Sequence, residues 1–387
     1  MTYGGETVRG STSTVESQLS SLADVCAKAE TCEGLFEDVS NRLRRLVPFD
    51  GAGWFATDPL TVLATSPVRV ENIENSRCES YWERECLVED VLLFRDLARS
   101  ESGVATLYTA TDDQPARSAR YREFIAPQGY GDELRAAFRS GGNTWGVVDL
   151  YRDRARGSFT ATEVELVRTL MPVIAAALRA FTTAVPTRPA AAGAGAGAAS
   201  GPGTALFDTS GTLLSLDANA ERLFAELAGL SWALPSVSMT PVLAVVARAA
   251  AVHEGRDRGP AAARLRAVSG RWISIHASCL RQPNGRPGPT ALTIEPAKSA
   301  QIAPIIVETY CLTVREQEIT RAVARGLSNQ EIAAELFLSP HTVRDHLKAV
   351  FAKVGVGSRG ELVAKLFAEH YGPALHDPAA AITHVQY

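Results

Sequence analysis

The first 180 residues carry both helical and strand-like patterns of apolar positions. From about Val15 to Val47, apolar side chains recur at three- and four-residue steps, which predicts one long helix or a helix pair. Thr160-Ala-Thr-Glu163 has the spacing of a capping box and predicts a closing helix. Alternating positions predict strands at 50–57 and 61–65, paired as a hairpin, and at 133–138 and 144–151, joined by a turn at 140–143.

The order of these elements resembles a GAF sensor domain over about Gln18–Phe181, particularly in NTWGVVDLYR followed by FTATEVELVRTLMPVIAAAL. We assign this GAF-like domain residues 1–185. The resemblance implies a small ligand between one sheet face and the middle helices and loops. Aromatic residues on a half-buried sheet are more often core residues, and a role in dimerisation alone stays open. The candidate pocket residues are Trp54, Tyr81, Trp82, Phe94 and Trp145.

A change in composition separates this block from the next one. Residues 186–203 are rich in Ala, Gly and Pro, which predicts a linker. Residues 204–217 then alternate as strand, Asp-x-x-Gly turn and strand, Asp217 caps a helix, and further strands begin at 271 and 290. This block, 204–300, resembles a PAS-type domain. Such domains can hold haem or flavin, but plain surface or strand roles for His253 and His276 are favoured, so no cofactor is clearly indicated.

Closely spaced capping signals predict four short helices in residues 301–371, near 313–324, 328–335, 339–354 and 358–370. Capping boxes occur at Thr313, Ser328 and Ser358, each with Glu three residues later, and Ser339-Pro340 begins the third helix. Only Leu336-Phe337-Leu338 separates the second helix from the third, which is the connection of a helix-turn-helix. Residues 372–387 show no periodic stripe and are expected to form a flexible tail.

The third predicted helix has one apolar face and one charged face. Val343, Leu347, Val350, Phe351 and Val354 form a stripe that should pack on Ile319, Val323, Ile332, Leu336 and Leu362. Between Ser339 and Arg359 there are four cations and one anion, a local charge of about +3 inside a chain of −4. A solvated charged face of a small bundle is the alternative interpretation.

The segment from LTVREQEITRAV to VGVGSRGELV resembles a LuxR-type (GerE-like) DNA-binding domain over its full length. The resemblance implies that the third helix enters the major groove and that the fourth supplies a dimer contact. Arg344 and Lys348 could then donate to guanine, whereas Asp345 could accept from cytosine or pair with Lys348 instead. The expected phosphate contacts are Ser328, Asn329, Ser339, Thr342, His346 and Lys353.

Composition narrows the classes of function. A length of 387 residues favours two or three domains. The six cysteines form no Cys-x-x-Cys pair, and all seven histidines lie beyond residue 252, so neither a metal site nor a catalytic site is predicted. The sequence also lacks a phosphate-binding Gly-Lys-Ser/Thr loop and a Gly-x-Ser-x-Gly elbow. With no secretory signal and no apolar run of about 18 residues, we expect a cytoplasmic protein outside the membrane.

Taken together, these features predict a multidomain α+β protein with GAF-like and PAS-like mixed α/β domains followed by an all-α, four-helix DNA-binding domain. The leading hypothesis is a one-component, sequence-specific transcription regulator rather than an enzyme. We expect double-stranded operator DNA and a second copy of the chain as partners; a small-molecule effector in either sensor-like domain and RNA polymerase are further candidates. The alternatives are a sensor-coupled nucleotide-hydrolysing enzyme and a protein-interaction module whose DNA-binding domain is vestigial.

Overall fold

The computed structural model describes residues 6–74, 78–183, 201–227, 240–267, 271–298, 301–302, 305, 309–310 and 312–365. Most of the predicted linker and the whole predicted tail therefore lie outside the described residues, as does the end of the fourth helix predicted in 301–371. The proposed domain boundaries stay predictions.

The N-terminal domain is built on a five-stranded antiparallel sheet in the order β2-β1-β5-β4-β3. Of the two alternatives predicted for about Val15 to Val47, the structure has the helix pair. The predicted hairpin turn, at Gly141-Gly142, and the closing helix are confirmed. Short helical turns occupy Pro115–Arg117, Tyr121–Ile125, Ala126–Gln128 and Arg154–Arg156. The helices and strands are α1 (Glu6–Lys28), α2 (Cys32–Leu46), β1 (Gly51–Thr57), β2 (Ala64–Glu71), α3 (Cys78–Leu87), α4 (Phe94–Leu97), β3 (Val104–Thr106), α5 (Leu107–Ala110), β4 (Tyr130–Ser140), β5 (Asn143–Asp153) and α6 (Ala161–Thr183).

The hairpin partner of β1 was predicted too early, at 61–65. Residues 58–62 instead form a turn, in which the Asp58 carbonyl accepts from the amides of Thr61 and Val62, and the Asp58 carboxylate accepts from Leu60. Val62 has a φ of 60°, which a continuous strand does not allow. The strand β2 therefore starts at Ala64 and runs to Glu71.

The middle domain contains a second five-stranded antiparallel sheet, β7-β6-β10-β9-β8, whose strands follow the same order as those of the first sheet. Its elements are β6 (Gly203–Phe207), β7 (Leu213–Leu216), α7 (Ala218–Glu226), α8 (Thr240–His253), β8 (Ala262–Arg266), β9 (Trp272–Arg281) and β10 (Pro287–Pro296). Asp217 caps α7, as predicted. Helix α8 and strand β8 were not among the predicted elements, and the PAS-like assignment stays a prediction.

Helix α8 joins the first two domains. It packs on α3 and β2 of the N-terminal domain and on β9 of its own sheet, so its residues from Thr240 to Ala249 are all buried. Its side chains belong to one apolar core that also contains Phe55, Leu63 and Tyr81. Between the domains, the side chain of Asp58 accepts three hydrogen bonds from Arg264, one from its backbone amide and two from its guanidinium.

The C-terminal domain consists of α9 (Val314–Ala324), α10 (Asn329–Glu335), α11 (Pro340–Val354) and a fourth helix, α12, over 359–365. The capping boxes at Thr313 and Ser328 are confirmed. At Ser358 the hydroxyl accepts from the Glu361 amide, but the Glu361 carboxylate accepts from the Gly357 amide, one residue before the predicted position. The chain has already turned at Gly357, which places that amide nearer to the carboxylate.

Candidate nucleic-acid interface

Helix α11 has well-defined ends that follow from its sequence. The Ser339 hydroxyl accepts from the Thr342 amide, and Pro340 occupies the first helical position, where no amide hydrogen is needed. The helix ends at Gly355, which has a φ of 70° and adopts the left-handed conformation with little strain. The 15 residues between these ends form a continuous helix.

The apolar stripe of α11 fixes which side of the helix faces outward. Val343, Leu347, Val350 and Val354 are buried in a core with residues of the other three helices, as predicted. This core also contains Ile319, Val323, Ile332 and Leu362, while Leu336 and Phe351 pack partly against it. Because the stripe is buried, the side chains on the opposite face of α11 are held at the surface.

The turn before α11 contains an unusual residue. Phe337 has a φ of 56°, in the left-handed region that non-glycine residues seldom adopt, and its side chain is 95% exposed. The turn is closed by a hydrogen bond from the Leu338 amide to the Ala333 carbonyl. The tight reversal is therefore made at the expense of backbone strain at Phe337, with no burial of its ring.

The residues predicted to contact bases lie together on the exposed face of α11. The Arg344 side chain is exposed and forms no hydrogen bond or ion pair with any residue that the structure describes. Lys348, one turn further on, is 73% exposed. Asp345 lies 3.0 Å from His341 Nδ1 and 3.9 Å from Lys348 Nζ, so its carboxylate already has partners within its own helix. Of the two cations, Arg344 has the greater freedom to reach a duplex, because Lys348 lies near Asp345.

Several of the residues predicted to contact phosphate already form hydrogen bonds within the C-terminal domain. The hydroxyls of Ser328 and Ser339 accept from amides within their own helices, and Thr342 Oγ1 lies 2.8 Å from Ser339 Oγ. Asn329 begins α10 and His346 is half-buried on α11. These contacts stay predictions, because DNA is needed to test them.

Lys353 lies in a more constrained environment than the sequence suggested. Its Nζ donates to the carboxylate of Glu316 over 2.6 Å, and the same carboxylate accepts from the Thr313 amide. Burial opposes ionisation of Glu316, but the hydrogen bonds from Lys353 and Thr313 outweigh it and hold its pKa below the usual range. Lys353 therefore ties α11 to the start of α9 in the absence of DNA.

The predicted aromatic pocket of the N-terminal domain is split between the two faces of the sheet. Trp54 and Trp145 lie in the core beneath α2 and α6, where Trp54 stacks on Phe138. Tyr81, Trp82 and Phe94 lie on the opposite face, around Phe55. The sheet thus brings three of the five residues together, and the pocket assignment stays a prediction.

A network of buried charges lies beside these three aromatic residues. Arg135 on β4 donates to Glu85, Glu133 and the Tyr81 hydroxyl over 2.6 to 3.1 Å, and its guanidinium lies over the Phe94 ring. The Tyr81 hydroxyl donates in turn to Asp149. The cavity beside Tyr81 has a volume of about 20 Å³, room for about one water molecule. No local sequence pattern predicted this network, because its members come from three separate segments of the chain.

Charge and burial oppose each other within this network. Burial raises the pKa of Asp149, although the nearby Arg135 acts in the opposite direction. Burial also opposes ionisation of Glu133, but the guanidinium groups of Arg120 and Arg135 outweigh it and hold its pKa below the usual range. The two arginines are therefore required to keep carboxylates charged inside the domain.

Among the described residues, no group of three or more His, Cys, Asp or Glu side chains is arranged to hold a metal ion. No helix in the described part of the chain has the length and apolar character needed to cross a bilayer.

Two known protein families match parts of this chain. Residues 310–366 match the family of bacterial regulatory proteins of the luxR type, also called GerE. Residues 33–178 match the GAF domain family. The first match covers α9, α10, α11 and the described part of α12, and the second covers the first sheet with α2 and most of α6.

The similar curated proteins match over short stretches of the chain. A Mycobacterium bovis protein named as an HTH-type transcriptional regulator is 52% identical over 52 residues, which are 13% of this chain and 6% of that protein. The Bacillus subtilis transcriptional regulatory protein YhcZ is 45% identical over 62 residues, 16% of this chain and 28% of that protein. The chain thus spans only a small part of the curated relatives it matches.

A solved structure overlaps more of the chain at low similarity. The crystal structure of Escherichia coli SdiA covers 92% of this chain and 97% of its own, with 13% identity and a TM-score of 0.31, which supports no conclusion about the fold. The family matches, by contrast, coincide with elements described above. Residues 310–366 form a LuxR-type helix-turn-helix domain of the bacterial regulatory proteins, and residues 33–178 form a GAF domain.

Proposed function

We propose that this protein is a sequence-specific, DNA-binding transcription regulator in which the N-terminal and middle domains control the LuxR-type domain. The observation that carries the proposal is the outward pair Arg344 and Lys348 on a helix whose opposite face is locked in the core. An exposed arginine can donate two hydrogen bonds to the O6 and N7 atoms of guanine in the major groove. The protein acts by binding rather than by catalysis.

The proposal includes partners besides operator DNA. A homodimer on two half-sites about one helical turn apart suits a recognition helix held at the surface of a small domain. A small-molecule effector would act through the GAF domain or the middle domain, and RNA polymerase would be contacted at the promoter. The shared strand order of the two sheets supports a pair of sensor-like modules.

The test begins by selecting sequences that the purified full-length protein binds from a random DNA pool. Affinity for the selected sequence and for random DNA is then measured at two salt concentrations by fluorescence anisotropy. Arg344→Ala should weaken binding to the selected sequence by on the order of 10- to 100-fold, with a much smaller change on random DNA, because a base contact discriminates sequence. Arg315→Ala, which removes a cation paired with Glu318 on α9, is the matched control.

Two results would contradict the proposal. One is a binding constant that does not change with salt, since phosphate contacts must release counterions from DNA. The other is an equal loss of affinity for Arg344→Ala and Arg315→Ala on every sequence, which would mean that α11 does not read bases.

A further inference from the structure

A cavity of about 490 Å³ lies between the N-terminal and middle domains, away from the charged network described above. Its walls come from the end of α6, the turn after β1, the strand β8 and the beginning of β9. Its volume is within the range of sites that hold drug-sized molecules. By comparison, the 20 Å³ left beside Tyr81 holds no ligand larger than water.

Aromatic and aliphatic side chains supply much of the wall. Trp145 and Leu178 are buried at its base, while Phe181 and Trp272 are half-buried. Ile305, which belongs to the core of the N-terminal domain, closes another side. Two indole rings together with a phenyl ring favour a ligand that has an aromatic ring of its own.

The charged groups at the cavity disfavour a ligand that carries a phosphate, because both arginines already have partners. Arg264 donates from Nε and Nη2 to the buried carboxylate of Asp58 over 2.6 and 2.7 Å, so its charge is already matched. Arg266 donates to the carbonyls of Phe181 and Thr182 at the negative end of the α6 helix. A nucleotide would have to compete for both guanidinium groups.

The charges at the rim of the cavity also disfavour an anionic ligand. Glu30 and Glu33 are exposed there and would repel an anion. Burial, together with the charge of Glu33, raises the pKa of the Cys32 thiol to about 12, so the thiol in this wall is uncharged at neutral pH. The Thr57 and Thr182 hydroxyls in the wall already donate to the carbonyls of Thr144 and Leu178, so they can orient a ligand only by accepting hydrogen bonds from it.

Trp272 gives the cavity a route to the DNA-binding domain. The residue lines the cavity and packs partly against both the core of the N-terminal domain and the core of the C-terminal domain. A molecule that contacts this indole therefore touches a side chain shared by two cores. A displacement of the ring therefore changes the packing of the core that anchors α9, α10 and α11.

From these observations we propose that the interdomain cavity is a binding site for an uncharged aromatic molecule, which lies against the indole rings of Trp145 and Trp272. Its effect on DNA affinity rests on the function proposed above. Binding to the cavity does not, because it involves no residue of α11, and it can be measured without DNA.

The experiment titrates the full-length protein with N-phenyl-1-naphthylamine, an uncharged aromatic probe whose emission rises on leaving water. We expect saturable binding of one probe per chain and no competition from guanosine monophosphate. Thr182→Trp, which places a large ring in the cavity wall, should weaken binding at least about tenfold. Ala180→Trp, on an exposed position of the same helix, should leave the affinity within about twofold of wild type.

Hydrogen exchange provides a second measurement that does not rely on a variant. Bound probe should slow amide exchange in residues 56–67, 178–182, 264–267 and 271–272, and leave 130–140 unchanged. The proposal is overturned if Thr182→Trp binds the probe as tightly as wild type, if Ala180→Trp loses binding equally, or if protection appears elsewhere. None of these results depends on whether the protein binds an operator.

Discussion

Replacing Arg135 with Met should destabilise the GAF domain by about 3–5 kcal/mol. The Arg135 side chain is fully buried and donates to Glu85 over 2.6 Å, to Glu133 over 3.1 Å and to the Tyr81 hydroxyl over 2.9 Å. Met retains the apolar stem beside Phe94 but leaves the Glu85 carboxylate buried without its cation. Glu133 keeps its ion pair with Arg120 at 2.8 Å. The expected loss of stability is therefore the range measured when one partner of a buried ion pair is removed, here that of Glu85.

The dependence on pH tests the electrostatic part of this reasoning. In the wild-type protein the pKa of Glu133 is held below its usual range, so its ionised form stabilises the fold above the unfolded pKa of about 4.3 and this contribution is lost as pH falls through the folded pKa. Without Arg135, burial favours protonated carboxylates in the folded state. The difference in the free energy of unfolding between wild type and Arg135→Met should therefore be larger at pH 7.5 than at pH 5.

Urea unfolding followed by tryptophan fluorescence measures this difference at both pH values. The matched control is Arg139→Met on the same strand, where a half-buried arginine donates to the carbonyls of Ser100 and Glu101, and where we expect a cost of about 1 kcal/mol. A loss below about 1 kcal/mol for Arg135→Met, or a loss that is the same at both pH values, would refute the view that this cation holds buried carboxylates in place.

Two further predictions concern the C-terminal domain, and thermal unfolding of the full chain measures both. Lys353→Met should lower stability by about 1 kcal/mol at pH 7 and by less at pH 4, because the pKa of Glu316 is held low partly by Lys353; an equal loss at both pH values would contradict this. Phe337→Asn should raise stability by about 0.5–1 kcal/mol, because Asn tolerates the left-handed backbone and the lost ring is 95% exposed; a loss of stability would mean that the ring packs against a neighbour.

The helices of the DNA-binding domain were predictable because the signals that define them are local. A capping box spans four residues, and the stripe on α11 spans 12, so a single segment of sequence contains the evidence for each. The environment of Lys353 could not be read in this way. Its partner Glu316 lies 37 residues earlier, and the same glutamate was already accounted for by its role in the capping box.

Helix α8 was missed for a different physical reason. A helix that faces solvent on one side shows a periodic stripe, but α8 packs on the N-terminal domain and on its own sheet at once. The segment TPVLAVVARAAAVH is therefore apolar on nearly every side and carries little helical periodicity. The ion pair of Asp58 with Arg264, 206 residues apart, was equally invisible, although it helps to form the wall of the proposed ligand site.

The strand β4 was correctly predicted, but its sequence pattern did not indicate that its charged residues are buried. Its sequence, Glu133-Leu134-Arg135 followed by apolar residues, alternates as a strand with one face toward water would. Yet Glu133 and Arg135 are completely buried, because α3, α4 and the segment around Arg120 cover that face. Charged residues can remain there only because they neutralise one another, and the space they fill is the space a ligand would need. The cavity beside Trp272, by contrast, has a volume of about 490 Å³, against about 20 Å³ beside Tyr81, and can accommodate an aromatic molecule.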